Sequence, residues 1–113
     1  MRMEHPEEFT MAVRRDGRRA VVVISGELDL HESERLSERL STVVTDAATI
    51  ELDAQRITFI DSAGLRVLLV AWQAARERGA ELRVTAVSKQ MAWMLEVAGV
   101  PDLLLSPDGD GQA

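Results

Sequence analysis

The sequence predicts an α/β domain: a mixed, mostly parallel sheet of four to five strands with helices packed on it. Three observations lead there. Short β-branched runs alternate along the chain with longer stretches of helical spacing. An early turn, Asp16-Gly17, joins the first two strand-like runs as a hairpin, adding one antiparallel edge strand. The 113 residues, 46% of them hydrophobic, suit one core rather than two.

Phe9 to Val13 alternates in polarity and leads toward Asp16-Gly17, as a strand entering a turn does. Ala20 to Ser25 is a continuous β-branched run, the pattern of a strand buried on both faces in mid-sheet. Gly26-Glu27-Leu28-Asp29 ends it. From Ser33 to Val44, Leu36, Leu40, Val43 and Val44 form one stripe, while Glu34, Arg35, Glu38 and Arg39 face water. Ile50 to Asp53 alternates like a short strand, and Ile57 to Ile60 is apolar and runs straight into Asp61-Ser62.

Ser62 has the character of an N-cap, whose hydroxyl accepts from the orphan amides of a first helical turn. The helix behind it, Ala63 to Arg78, carries Leu65, Leu68, Leu69, Trp72 and Ala75 on its buried side, and Gly79 stops it. Leu82 to Val87 is a further strand. Ser88 caps a last helix through Ala98, Gly99 ends that helix, and Pro101 blocks continuation. Leu103 to Leu105 suits a short edge strand. The order β-β-α-β-α-β-α implies right-handed crossovers. Residues 1–8 and 106–113 read as flexible tails around one unit, 9–105.

Composition removes several classes of function. With no cysteine there is no disulfide, thiolate zinc site or cysteine nucleophile. His5 and His31 are the two histidines, too few for a histidine-based metal site, and no cofactor is expected. A net charge of −6 argues against a nucleic-acid surface, despite Arg14-Arg15 and Arg18-Arg19 around the expected hairpin tip. The N-terminus has no signal-peptide pattern, and Val67 to Trp72 is far too short an apolar run to span a membrane. A soluble, cytoplasmic protein is expected.

The chemistry centres on Ser62. A strand-to-helix turn lifts its hydroxyl to the carboxyl end of the sheet. The amides that follow form a positive helix end able to tolerate phosphate, and Gly64 allows close approach of a backbone or a partner. Two readings stand side by side: a capping serine, or an accessible phosphoacceptor. A hydrolase elbow requires glycine where Ile60 stands. A triad would have to recruit His31, and no P-loop pattern is present. Glu27 and Asp29 end a neighbouring strand, so they form either an ordinary turn or an acidic rim beside Asp61 and Ser62. In the last helix, Met91, Trp93, Met94 and Leu95 are suited to core packing, with Trp93 or Met94 as alternatives for a dimer or partner contact. Glu77 and Arg78 read as part of a solvated face.

Gly26-Glu27-Leu28-Asp29, Ile57 to Leu65 with its Asp-Ser-x-Gly-Leu core, Leu82-Arg83-Val84 and the Ser88 to Gly99 helix together resemble the anti-sigma factor antagonist family of STAS domains. The likeness spans about residues 9 to 105. It implies a bacterial regulator of transcription that is not an enzyme. Unphosphorylated, such a protein binds a serine-kinase anti-sigma factor and releases a sigma factor. The kinase then phosphorylates Ser62 with ATP, and a serine phosphatase resets it. Glu27, Asp29, Asp61, Ala63, Gly64, Leu65 and Arg66 would form the partner-binding surface. Ala63 stands where several members carry a second hydroxyl, leaving Ser62 as the only phosphoacceptor of the loop. Arg66 stands where relatives often have a small residue. The resemblance leaves open a STAS domain that senses a small ligand or nucleotide, or a structural subunit of a larger signalling assembly. It is silent on self-association.

Overall fold

The alternating runs become strands and helices in the computed structural model, which describes residues 9–99. In chain order these are β1 (Thr10–Asp16), β2 (Arg19–Leu28), α1 (Leu30–Asp46), β3 (Thr49–Ile60), α2 (Ser62–Glu77), β4 (Glu81–Val87) and α3 (Lys89–Ala98). The fold class is the one expected. The terminal segments, Pro101 and the Leu103–Leu105 strand lie outside the described residues.

Gly17, at φ +64°, turns β1 back on β2, and Asp16 pairs with Arg19 across a two-residue loop. The sheet order is β1-β2-β3-β4, with β1 antiparallel to β2 and the pairs β2–β3 and β3–β4 parallel. Both crossovers step in the same direction along the sheet. Right-handed connections of that kind put both helices on one face, and α1 and α2 do pack against each other. Their starts therefore lie over the carboxyl ends of adjacent strands.

The core joins Val22, Ile24 and Leu28 of β2 to Ile50, Leu52 and Ile60 of β3 and Leu82 and Val84 of β4. Leu36 and Leu40 of α1, Leu65 and Leu68 of α2, and Met91 and Leu95 of α3 complete it. Each fully buried side chain of this kind contributes roughly 1.5–3 kcal/mol.

Four expectations need correcting. β2 is a central strand, but it is buried on one face only: Val21 and Val23 are half-covered. An ion-pair row lies on that other side. Glu51, which pairs with Val21 in register, takes two hydrogen bonds from the Arg19 guanidinium, at 3.1 and 2.9 Å. Arg83 of β4 lies 4.0 Å away on its other flank.

Ile50–Asp53 and Ile57–Ile60 are one strand, not two stretches. Polar Gln55 and Arg56 continue it on the exposed side, and the register slips near Val23–Ser25 and Gly26–Glu27. In the last helix Trp93 is 60% exposed, so core packing holds for Met91 and Leu95, and for Met94 as a partly buried side chain packed against the core, but not for Trp93. Arg78 is exposed, as expected of that face, but it is not merely solvated. Its guanidinium donates to the Val44 carbonyl at 2.8 Å and to the Ala47 carbonyl, closing the C-terminal end of α1 from α2.

The Arg19 hydrogen bond holds the Glu51 carboxyl below its ordinary value of 4.5, against an opposing effect of burial. A depressed carboxyl stabilises the fold above its unfolded pKa, and that contribution is lost as pH falls through the folded value. Glu51→Gln should therefore be less stable than the parent chain at pH 7. The gap should close as the pH is taken below 4.5, which urea midpoints at pH 7 and pH 3 would read.

Candidate functional site

β2 and β3 end in the same way. Leu28 pairs with Ile60 in register, and each is followed by an aspartate in extended backbone and then by a helix. Asp29 (φ −108°) caps α1, its Oδ1 accepting from the Glu32 amide at 3.1 Å. Asp61 (φ −107°) caps α2, its Oδ1 accepting from the Gly64 amide at 3.0 Å. Two strand–Asp–helix units thus stand side by side at one edge of the sheet.

They are also tied together. The Asp61 amide donates to the Leu28 carbonyl at 3.2 Å, and Asp61 Oδ2 accepts from the Leu30 amide at 3.1 Å. One carboxylate therefore serves the first turns of both helices. Its negative charge sits where two positive helix ends converge, an arrangement that stabilises it and them.

This corrects the expected role of Ser62. Asp61 is the N-cap and Ser62 is the first residue of α2, exposed to solvent. Its hydroxyl has no hydrogen-bond partner among the described residues. Because the aspartate takes over the capping, the serine oxygen is left available for chemistry.

Gly64 has a structural reason to be glycine. A Cβ there would overlap the Leu28 carbonyl oxygen and lie 2.9 Å from Leu28 Cβ and 3.1 Å from Ile60. The close approach it permits is that of the chain's own β2 rather than a partner. Leu65 is 6% exposed and belongs to the core. Of the residues expected at a partner surface, Gly64 and Leu65 thus hold the turn from beneath. Ala63 and Glu27 are half-buried, and Arg66 is exposed with no ion-pair partner among the described residues. Asp29 and Asp61 are brought together as expected, but as helix caps. His31 is exposed at the start of α1, and no cluster suited to a metal occurs among the described residues.

Two residues at this edge escaped the sequence reading. Leu30, the first residue of α1, is 73% exposed. At ~100° per residue it falls about a third of a turn off the Leu36–Leu40 stripe, a signal that was present. Phe59 is 38% exposed. Strict alternation from Ile57 would send it into the core. However, Gly26 has φ +95°, and the register slip there sets Ile57 opposite Gly26 and Phe59 opposite Glu27. A bulge re-aims the side chain. No helix among the described residues is long and apolar enough to cross a membrane.

Residues 11–106 match the family model described as Mlab, STAS domain. The anti-sigma-B factor antagonist of Listeria monocytogenes is 24% identical over 92 residues, covering 80% of this chain and 81% of the relative. An anti-sigma factor antagonist from Mycobacterium paratuberculosis superposes with a TM-score of 0.79 at 22% identity, covering 93% of this chain and 91% of the other. The anti-sigma factor antagonist SpoIIAA superposes in its unphosphorylated form with a TM-score of 0.74 at 20% identity, covering 85% and 86% of the two chains. In its phosphorylated form the TM-score is 0.68 at 21% identity, covering 85% and 89%.

Gly64→Ala should destabilise the fold by about 3 kcal/mol or displace the start of α2, since the clash is with backbone. Denaturant midpoints measure the first, and amide exchange in residues 62–66 the second. Asp61→Ala leaves two helix-start amides unpaired and should cost about 2 kcal/mol. Asp61→Asn can still accept from Gly64 but offers Leu30 an amide in place of an oxygen, so its loss should fall between alanine and the parent.

Proposed function

The chain belongs to the STAS domain family, and we propose that within it the protein is an anti-sigma factor antagonist switched by phosphorylation at Ser62. On this reading the unphosphorylated protein binds a serine-kinase anti-sigma factor and so releases a sigma factor. The kinase then modifies Ser62, and a serine phosphatase restores the binding form. The protein is a substrate and a binding partner, not an enzyme, and it works in the cytoplasm beside the transcription machinery.

The observation that carries the proposal is the free, exposed Ser62 hydroxyl at the first position of α2, with capping done by Asp61. In the transfer, Ser62 Oγ forms a bond to the γ-phosphorus of ATP. The bond from that phosphorus to the bridging oxygen breaks, ADP departs, and the hydroxyl proton passes to a base of the kinase. The phosphatase reverses the modification by hydrolysis, releasing inorganic phosphate.

The off-state is electrostatic. Phosphoserine brings close to two negative charges at neutral pH. They would join the Asp29 and Asp61 carboxylates at one edge of the sheet, where three of the nearest backbone amides, those of Leu30, Glu32 and Gly64, already have acceptors. A contact that closes over Ser62 would have to strip water from this charge or match it, and without a match the complex is lost. Glu27, Asp29, Asp61, Ala63 and Arg66 form the surface that the partner reads, supported from beneath by Gly64 and Leu65. The names of the relatives, and the existence of a phosphorylated form of the similarly folded SpoIIAA, support this reading.

Incubation with serine-kinase anti-sigma factors and ATP should add one phosphate, mapped to Ser62 by mass spectrometry. A chain left unmodified at Ser62 by all of them would overturn the proposal. Ser62→Ala should retain the kinase complex, and Ser62→Asp should weaken it at least tenfold in a titration. Equal affinities would show that charge is not the switch.

A further inference from the structure

Among the described residues, few large apolar side chains are held in solvent, and two of them flank the Ser62 turn. Leu30 is 73% exposed, the highest value of that group. Phe59 is 38% exposed and lies two residues before Asp61. Neither exposure is loose. The Leu30 amide is bonded to Asp61 Oδ2 at 3.1 Å, so its backbone is fixed to the residue preceding Ser62. Phe59 pairs with Glu27 in β3 and is turned off the core side by the extra residue before it, Thr58, which has no partner on β2.

From this placement we infer that Leu30 and Phe59 are the apolar anchors on which the kinase partner of Ser62 docks. The inference rests on the reading that Ser62 is phosphorylated. A kinase that brings its nucleotide to Ser62 Oγ works beside the turn whose aspartate holds the Leu30 amide, which places exposed Leu30 next to the contact. Rigid apolar side chains ringed by polar groups are what a well-packed contact centre is made of. Their neighbours Glu27, Asp29 and Asp61 are acidic, so the matching surface is an apolar pocket with a basic rim. The acidic edge meets such a rim favourably when Ser62 is unmodified. A phosphate beside these anchors would hold water in the contact that they make.

The test uses the full chain and the kinase that modifies Ser62 in the preceding experiment, with affinity read by calorimetric titration. Leu30→Ser and Phe59→Ser should each weaken binding at least tenfold, while Leu30→Met should keep it. Val70→Ser, at a position 56% exposed further along α2, should bind as the parent does. Thermal unfolding of Leu30→Ser should match the parent, because little is buried by that side chain. Parent-like binding of both serine variants overturns the inference and leaves the phosphorylation reading intact. A parent chain that no such kinase binds or modifies overturns that reading, and the anchors with it.

Discussion

The geometry of this molecule's candidate site depends on a single carboxylate. Asp61 accepts from the first turn of its own helix with one oxygen and from the first residue of the neighbouring helix with the other. Its amide meanwhile closes onto the last carbonyl of β2. Strand order makes this possible: parallel β2 and β3 end in register, so their two helices begin side by side. The positive ends of both helices would otherwise face each other across a gap. A shared anion between them removes that repulsion and satisfies amides that have no partner within the helices. Everything proposed for Ser62 depends on this, because the residue that caps is not the residue left exposed with an unbonded hydroxyl.

Much of the fold was legible before any coordinates. The hairpin at Asp16-Gly17, the Leu36–Leu40–Val43 stripe, the Ser88 cap and the glycine stops at Gly79 and Gly99 each have a local cause, and local causes can be read from sequence. What escaped was set by contacts between distant segments. Asp61 and Ser62 are both good capping residues and adjacent, and only the approach of Leu28 to Gly64 selects the first. Gly64 looked like an opening for a partner because the backbone that fills the space comes from β2. Gln55 and Arg56 obscured the continuity of β3, since a strand with one open side tolerates polar residues there. Phe59 followed the alternation rule until an extra residue in its own strand, Thr58, left unpaired opposite β2, broke it.

The candidate site was found in the sequence by the motif around Ser62 and corrected by the structure in its parts. Two of its three acidic residues, Asp29 and Asp61, proved to be caps, and two of its expected contact residues proved to be enclosed. Leu30 and Phe59 are proposed in their place. These changes follow one rule. A residue enclosed by the protein's own chain is poorly available to a partner, whereas one held in solvent on a fixed backbone is open to it. Gly64 and Leu65 are of the first kind, and Ser62, Leu30 and Phe59 of the second.

The Arg78 contact gives this arrangement a mechanical sense. Asp61 fastens α1 to α2 where the helices begin, and Arg78 fastens α2 to α1 where α1 ends. A pair of rods pinned at both ends can neither slide nor splay without breaking hydrogen bonds at one of the pins. A phosphate at Ser62, as proposed, would therefore meet a stiff support rather than a lever, and would act outward through the surface it alters.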